Sequence, residues 1–88
     1  MMLEELYLKE KDRIKKLSLH YARIYHAEPE DLFQEGALAI IETYAKYAEL
    51  PDEELLRLSH RIVNRKMYKY ARSEYRHKEY ESNATEKD

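Results

Sequence analysis

Two groups of residues in this chain have types and spacings that can do chemistry, and both suit binding. Asp31, Gln34 and Glu35 are spaced i, i+3 and i+4, so a helix through them presents acid, amide and acid on one face. Carboxylates beside an amide accept hydrogen bonds and oppose cations, which suits a basic partner. About twenty positions downstream, Arg57, Arg61, Arg65 and Lys69 step by four and are continued by Arg72 and Arg76. At 1.5 Å per residue this makes a basic stripe roughly 30 Å long. Guanidinium groups at that pitch match a phosphate backbone, which arginine grips in bidentate fashion. Tyr68, Tyr70 and Tyr75 interleave with the stripe, and arginine beside aromatic rings is the composition of sites that stack unpaired bases. The plainer alternative is a solvated charged face that pairs with the acidic helix, its tyrosines lying at the edge of the core. The sequence leaves both open.

Catalytic and metal-binding sets are thin. His20 and His26 are six apart, which does not bring both to one helix face, and His60 and His77 lie at opposite ends of the basic segment. There is no HExxH, no nucleophile elbow and no glycine-rich phosphate loop. Glu28, Glu30, Asp31 and Glu35 cluster where a helix begins, and the helix dipole accounts for them without a divalent cation. Cysteine is absent, which excludes disulfides and thiolate sites and is compatible with a reducing cytoplasm. No enzymatic activity, metal or cofactor is expected.

The elements that must position these groups are helices. Eighty-eight residues with one Gly and two Pro leave few turn points, and the fold class expected is all-α, a compact three-helix bundle with a four-helix variant open. The first helix spans residues 2–25, with Leu3, Leu6, Tyr7, Ile14, Leu17, Tyr21 and Ile24 at three- and four-residue steps. Glu10 and Lys11 interrupt that stripe, so a bend or a late start near Glu10 is expected. The second helix opens at Glu28-Pro29-Glu30-Asp31, proline suiting the first helical position, and runs to Tyr47. Leu50-Pro51-Asp52 breaks it. The third spans residues 52–76, with Leu55, Leu56, Ser59, Ile62, Val63, Met67, Tyr70 and Ala71 inward. The core is expected to bury Phe33, Ile40, Tyr44, Leu56, Ile62 and Val63. Tyr21, Tyr25, Tyr44 and Tyr47 are expected at its edge, with hydroxyls reaching water. Gly36, mid-helix, implies close approach of a neighbour such as Leu17 or Tyr21. One domain over residues 1–80 and a frayed polar tail over 81–88 complete the outline. No apolar run approaches the ~20 residues of a transmembrane helix, and the acidic start MMLEELYLKEKDR is unlike a signal peptide.

The net charge of −2 hides strong segregation. Residues 27–56 carry one Lys against nine acids, whereas residues 57–78 carry eight Lys/Arg against one. An acidic middle followed by a basic helix implies two different partners, or one partner and an internal complement.

The stretch DLFQEGALAIIETYAKY resembles the region-2 helix of bacterial RNA polymerase sigma factors, whose pattern is an acid, Leu, any residue, Gln, Glu and Gly, then alternating small and apolar positions ending in an aromatic. LLRLSHRIVNRKMYKYARSEYR is similar to the next helix of the smaller, extracytoplasmic-function members, and DRIKKLSLHYARIYHAEPE fits the family's first core helix. The resemblance implies an all-helical region-2 fold. It implies that Asp31, Gln34 and Glu35, with Ile41 one turn further as an apolar contact, dock on the clamp coiled coil of the polymerase's largest subunit. It also implies that Arg61, Arg65, Tyr68, Lys69 and Arg72 face the promoter −10 element, mainly its single-stranded non-template strand; Arg57 and Arg76 join the candidate nucleic-acid face through the spacing of the stripe alone. The family's tryptophan–threonine–tyrosine melting cluster is absent, and Asn64 and Arg65 stand exchanged relative to its Arg-Asn motif.

No second DNA-binding domain follows the resemblance. The expectation is therefore half of a split factor, paired with a separate region-4-like protein, or a small phage or mobile-element regulator that occupies the polymerase. Both are cytoplasmic, with no membrane partner. The alternative from another class is a helical protein–protein module, a dimer among its forms, that does not touch DNA.

Overall fold

The computed structural model describes the backbone of residues 1–86 and the side chains of residues 1–77. Three helices form an all-α bundle: α1 (Leu3–Tyr25), α2 (Pro29–Tyr47) and α3 (Asp52–Glu86). No strand occurs among the described residues. The helices begin and end for local reasons. In α1 the first turn is acidic, and the Met2 N–H donates to Glu5 Oε1 at 3.3 Å. His26 closes it in the left-handed region, with φ 57°, and the chain turns within three residues. Proline then opens α2 where no amide is needed, with Glu30 and Asp31 in its first turn. A turn bond from Leu50 N to Tyr47 O ends α2, and Pro51 caps the way into α3 by accepting from Leu55 N. Among the described residues no helix is long and apolar enough to cross a membrane.

Each helix contributes one line of side chains to the core. Leu6 and Ile14 come from α1, Leu32, Ala39 and Ile40 from α2, and Leu55, Val63, Met67 and Ala71 from α3, all essentially without solvent exposure. At about 1.5–3 kcal/mol for each large apolar side chain buried, these positions dominate the stability of a bundle whose helices draw most of their stability from packing rather than from propensity. Two buried hydroxyls are satisfied within their own helices, Ser18 Oγ donating to Ile14 O and Thr43 Oγ1 to Ala39 O, each at 2.7 Å.

Several expectations are corrected. The fourth helix does not arise, because α1 runs unbroken through Glu10, whose side chain is fully buried. Ile40 and Val63 are buried as expected, but Phe33, Tyr44, Leu56 and Ile62 are only half-buried. In α2 the line facing the centre is Leu32, Gly36, Ala39, Ile40 and Thr43. The large aromatics sit one position round, at the seam with a neighbouring helix. Ile24, expected inward, is 49 % exposed. The close approach at Gly36 is real, but its neighbours are Ile14 and Met67. A Cβ built there would lie 2.7 Å from Ile14 Cγ2 and 2.9 Å from Met67 Sδ. Finally, α3 continues to Glu86, beyond the expected end at Arg76. The frayed tail expected over 81–88 includes two residues and all side chains outside those described.

Candidate docking face and nucleic-acid interface

The outward face of α2 carries the expected acid–amide–acid group. Asp31 and Gln34 are exposed, and Glu35 is half-buried toward α3. Burial first, then the charges of Glu74, Asp31 and Glu35, raises the pKa of the Tyr70 hydroxyl. Both acids of α2 are therefore near enough to Tyr70 of α3 to act on its hydroxyl. Ile41 is 50 % exposed, and Leu38, which the sequence reading passed over, is 51 % exposed between it and Gln34. The signal for Leu38 was present: it is i+4 from Gln34 and i+3 before Ile41. The face is therefore an apolar pair with acids along one flank, the layout of a protein-docking patch. On its other flank a groove of about 430 Å³ opens between α1 and α2, its lining apolar (Leu3, Tyr7, Leu8, Ala37, Ile40 and Ile41) but for Glu4.

The basic stripe is displayed on α3. Arg57, Arg61, Arg65, Lys69, Arg72 and Arg76 are all exposed, and Arg65, Tyr68, Lys69, Arg72 and Arg76 line one shallow channel with Ser73. The plainer reading has these charges neutralised by α2. Among the described residues a single α2–α3 ion pair occurs: Lys66 Nζ donates to Glu42 Oε2 at 2.8 Å, and that hydrogen bond, ahead of the Lys66 charge, lowers the Glu42 pKa. Among the described residues, no stripe residue forms an ion pair with an acid. Arg72 Nη1 instead reaches the Tyr68 hydroxyl at 3.5 Å. A row of uncompensated cations repels itself and gains from an anionic partner.

Of the three tyrosines expected beside the stripe, Tyr68 and Tyr75 are there, 36 % and 40 % exposed. Tyr70 lies on the opposite side, toward α2. The structure adds two others, from α1. Tyr21 and Tyr25 both contact Tyr68, with ring centroids 6.1 and 6.0 Å away, and Tyr25 also meets Tyr75 edge-on at 6.0 Å. The Tyr21 hydroxyl donates to Asn64 Oδ1, so Asn64 is turned into the α1–α3 seam while Arg65 faces outward. Burial, then the nearby Tyr25 and Tyr68 hydroxyls, raises the Tyr21 pKa; burial and Tyr68 do the same for Tyr25. Sequence periodicity assigned Tyr21 and Tyr25 to the core edge and had no means to join them to α3.

A further polar group lies under the seam. Glu10 is fully buried in α1 and in direct contact with His60 Nε2 of α3, yet neither of its carboxyl oxygens accepts a hydrogen bond. Burial raises the Glu10 pKa from 4.5 to about 7, opposed by Arg13. Burial, with Arg13, lowers that of His60. The arrangement fits a neutral pair: a carboxylic acid at Glu10 donating its O–H to an uncharged imidazole, because a carboxylate there is an unsatisfied buried anion. Ser59 Oγ is likewise buried without a partner. No cluster of three His, Cys, Asp or Glu that would hold a metal ion occurs among the described residues.

Comparison of the chain with protein-family models, with curated proteins and with solved structures finds no match. The functional argument rests on the two faces themselves.

Proposed function

We propose that this chain is a non-enzymatic, cytoplasmic transcription factor or regulator that works like sigma region 2. It docks on the clamp helices of RNA polymerase through α2 and offers α3 to single-stranded promoter DNA. The observation that carries the reading is the separation of two complementary faces on one rigid bundle: Asp31, Gln34, Glu35, Leu38 and Ile41 on α2, and the unneutralised stripe from Arg57 to Arg76 on α3. Exposed Leu38 and Ile41 would supply the desolvated centre of the docking contact, and the acids its orientation.

The test is affinity capture of polymerase by wild-type chain and by variants of each face. Glu35→Arg, or Asp31→Arg where the half-buried site perturbs folding, should abolish capture, since like charges facing each other in an interface cost several kcal/mol. Arg65→Glu with Lys69→Glu should spare capture and lower promoter-dependent transcription. Capture unchanged by either α2 reversal would reject the clamp contact. A second reading, a helical protein–protein module that touches no nucleic acid, is favoured by the apolar α1–α2 groove. It predicts that the α3 charge reversals change nothing in transcription while Ile41→Asp abolishes partner binding.

A further inference from the structure

We infer that the α1–α3 seam is a base-stacking wall, so that α1 supplies half of the nucleic-acid site through Tyr21 and Tyr25. This inference rests on the nucleic-acid half of the function proposed above and extends it to a helix whose residues were read as core edge. The ligand class is the unpaired bases of a single strand, bound with little sequence preference.

Four observations converge on the seam. The rings of Tyr21, Tyr25, Tyr68 and Tyr75 form a continuous chain of contacts at 6.0–6.2 Å, tilted or edge-on to one another. Tyr68 and Tyr75 are seven positions apart on α3, so the wall extends about 10 Å along the helix, enough to engage more than one base. It borders the channel lined by Arg65, Lys69, Arg72 and Arg76, which puts cations for phosphates alongside rings for bases. The ring positions are also set before any ligand arrives: the Tyr21 hydroxyl donates to Asn64, Arg72 donates to the Tyr68 hydroxyl, and Tyr25 packs edge-on against Tyr68. Rings that are already ordered lose little conformational freedom on binding.

Tyrosines placed only to fill the core edge would sit on apolar neighbours and direct their hydroxyls to bulk water. Two of these hydroxyls are instead engaged across or along the seam, Tyr21 donating to the Asn64 amide and Tyr68 accepting from the Arg72 guanidinium. Stacking needs only a π face, so the wall tolerates any base, whereas the stripe alone would grip single strands and duplexes through phosphate.

The experiment measures binding of fluorescent oligodeoxythymidylate of about twelve nucleotides, and of a duplex of equal length, to the full chain at low salt. Thermal melts verify the fold of each variant. Tyr25→Leu with Tyr21→Leu should weaken single-strand binding about ten-fold or more, the value of one lost stack. Tyr25→Phe with Tyr21→Phe, which keep the rings but drop the Tyr21 hydroxyl bond to Asn64, should retain most of the binding that the leucine pair loses. Photo-crosslinking of a strand carrying halogenated uracil should label Tyr21 or Tyr25 in the wild-type chain, and this readout stands even if the leucine variants fail to fold. Leucine variants that bind like wild type, crosslinks confined to α3, or equal affinity for duplex would each overturn the wall. In those cases loss of binding by Arg65→Glu with Lys69→Glu still upholds a phosphate-tracking α3. No binding by the wild-type chain overturns the wall and the nucleic-acid face together, leaving polymerase capture to judge the docking face alone.

Discussion

Replacing Glu10 by Gln should stabilise the protein, and by an amount that depends on pH. The buried carboxyl has a pKa of about 7 against an ordinary 4.5. A carboxyl whose folded pKa is raised contributes its full stability while protonated. That stability is lost as pH rises from the unfolded value, through the folded one, and stays lost above it. The interval of about 2.5 pH units, at 1.36 kcal/mol each, bounds the loss at roughly 3 kcal/mol by pH 8. His60 acts in the opposite sense. Its pKa is lowered, so it costs stability as pH falls below its ordinary value of about 6.5. The two partly cancel on the acid side, and the wild-type curve alone does not separate them. The difference between wild type and Glu10→Gln does.

Gln has nearly the same volume, never ionises, and can donate its amide to His60 Nε2 in place of the carboxylic O–H. The gain should be near zero at about pH 4.5 and should rise to about 2–3 kcal/mol at about pH 8. In a domain of this size that corresponds to a thermal shift on the order of 10 °C or more. Urea unfolding followed by far-UV circular dichroism at the two pH values measures it. A Gln variant equally stable to wild type at both, or less stable at the higher pH, would refute the reasoning. It would show that Glu10 is ionised and well compensated, by Arg13 or a charged His60.

Leu32→Ala should cost about 2–5 kcal/mol, the usual range for a fully buried leucine. Phe33→Ala should cost less despite the larger side chain, because Phe33 is half-buried; the reverse order in denaturant melts would show α2 rotated about its axis. Gly36→Ala should be net destabilising by about 1 kcal/mol, overpacking against Ile14 Cγ2 outweighing the gain in helix propensity. Ile14→Leu, which removes the β-methyl group, should offset part of that loss in a double-mutant cycle. Oligonucleotide affinity should fall with salt at a log–log slope of about −0.7 per phosphate contacted, and Arg65→Glu with Lys69→Glu should flatten it.

The starts of the helices and the ends of α1 and α2 were legible because their causes are local, Pro29 and Pro51, acid-rich first turns and a chain with one glycine, whereas no such signal marked the end of α3. That Asp31, Gln34 and Glu35 lie on one face of α2 was legible for the same reason, since i, i+3 and i+4 positions share a face whatever the helix packs against. Depth was not legible. Apolar side-chain area ranks Phe33 and Tyr44 above Gly36, Ala39 and Thr43, yet at a close crossing of three helices small residues go to the centre and rings are displaced to the seams. Glu10 looked like a break in the α1 stripe because a charged residue is an improbable core residue. Only its contact with His60, fifty positions away, makes the site intelligible. The tyrosine wall depends on the same kind of information, because Tyr21 and Tyr25 acquire neighbours on α3 only after α1 has docked.

The contact at Gly36 reaches beyond packing. At this one point α2 lies against both Ile14 of α1 and Met67 of α3, five residues after Asp31 and one after Glu35. The missing side chain therefore sets how far the acidic face of α2 stands from the cationic ridge of α3. Such an interval works as a gauge: two ligands held on one rigid body must match it simultaneously. A bulkier residue at position 36 would leave every group on both faces intact and still detune the distance between them. Its signature would be two normal single-partner affinities alongside a defective three-component complex.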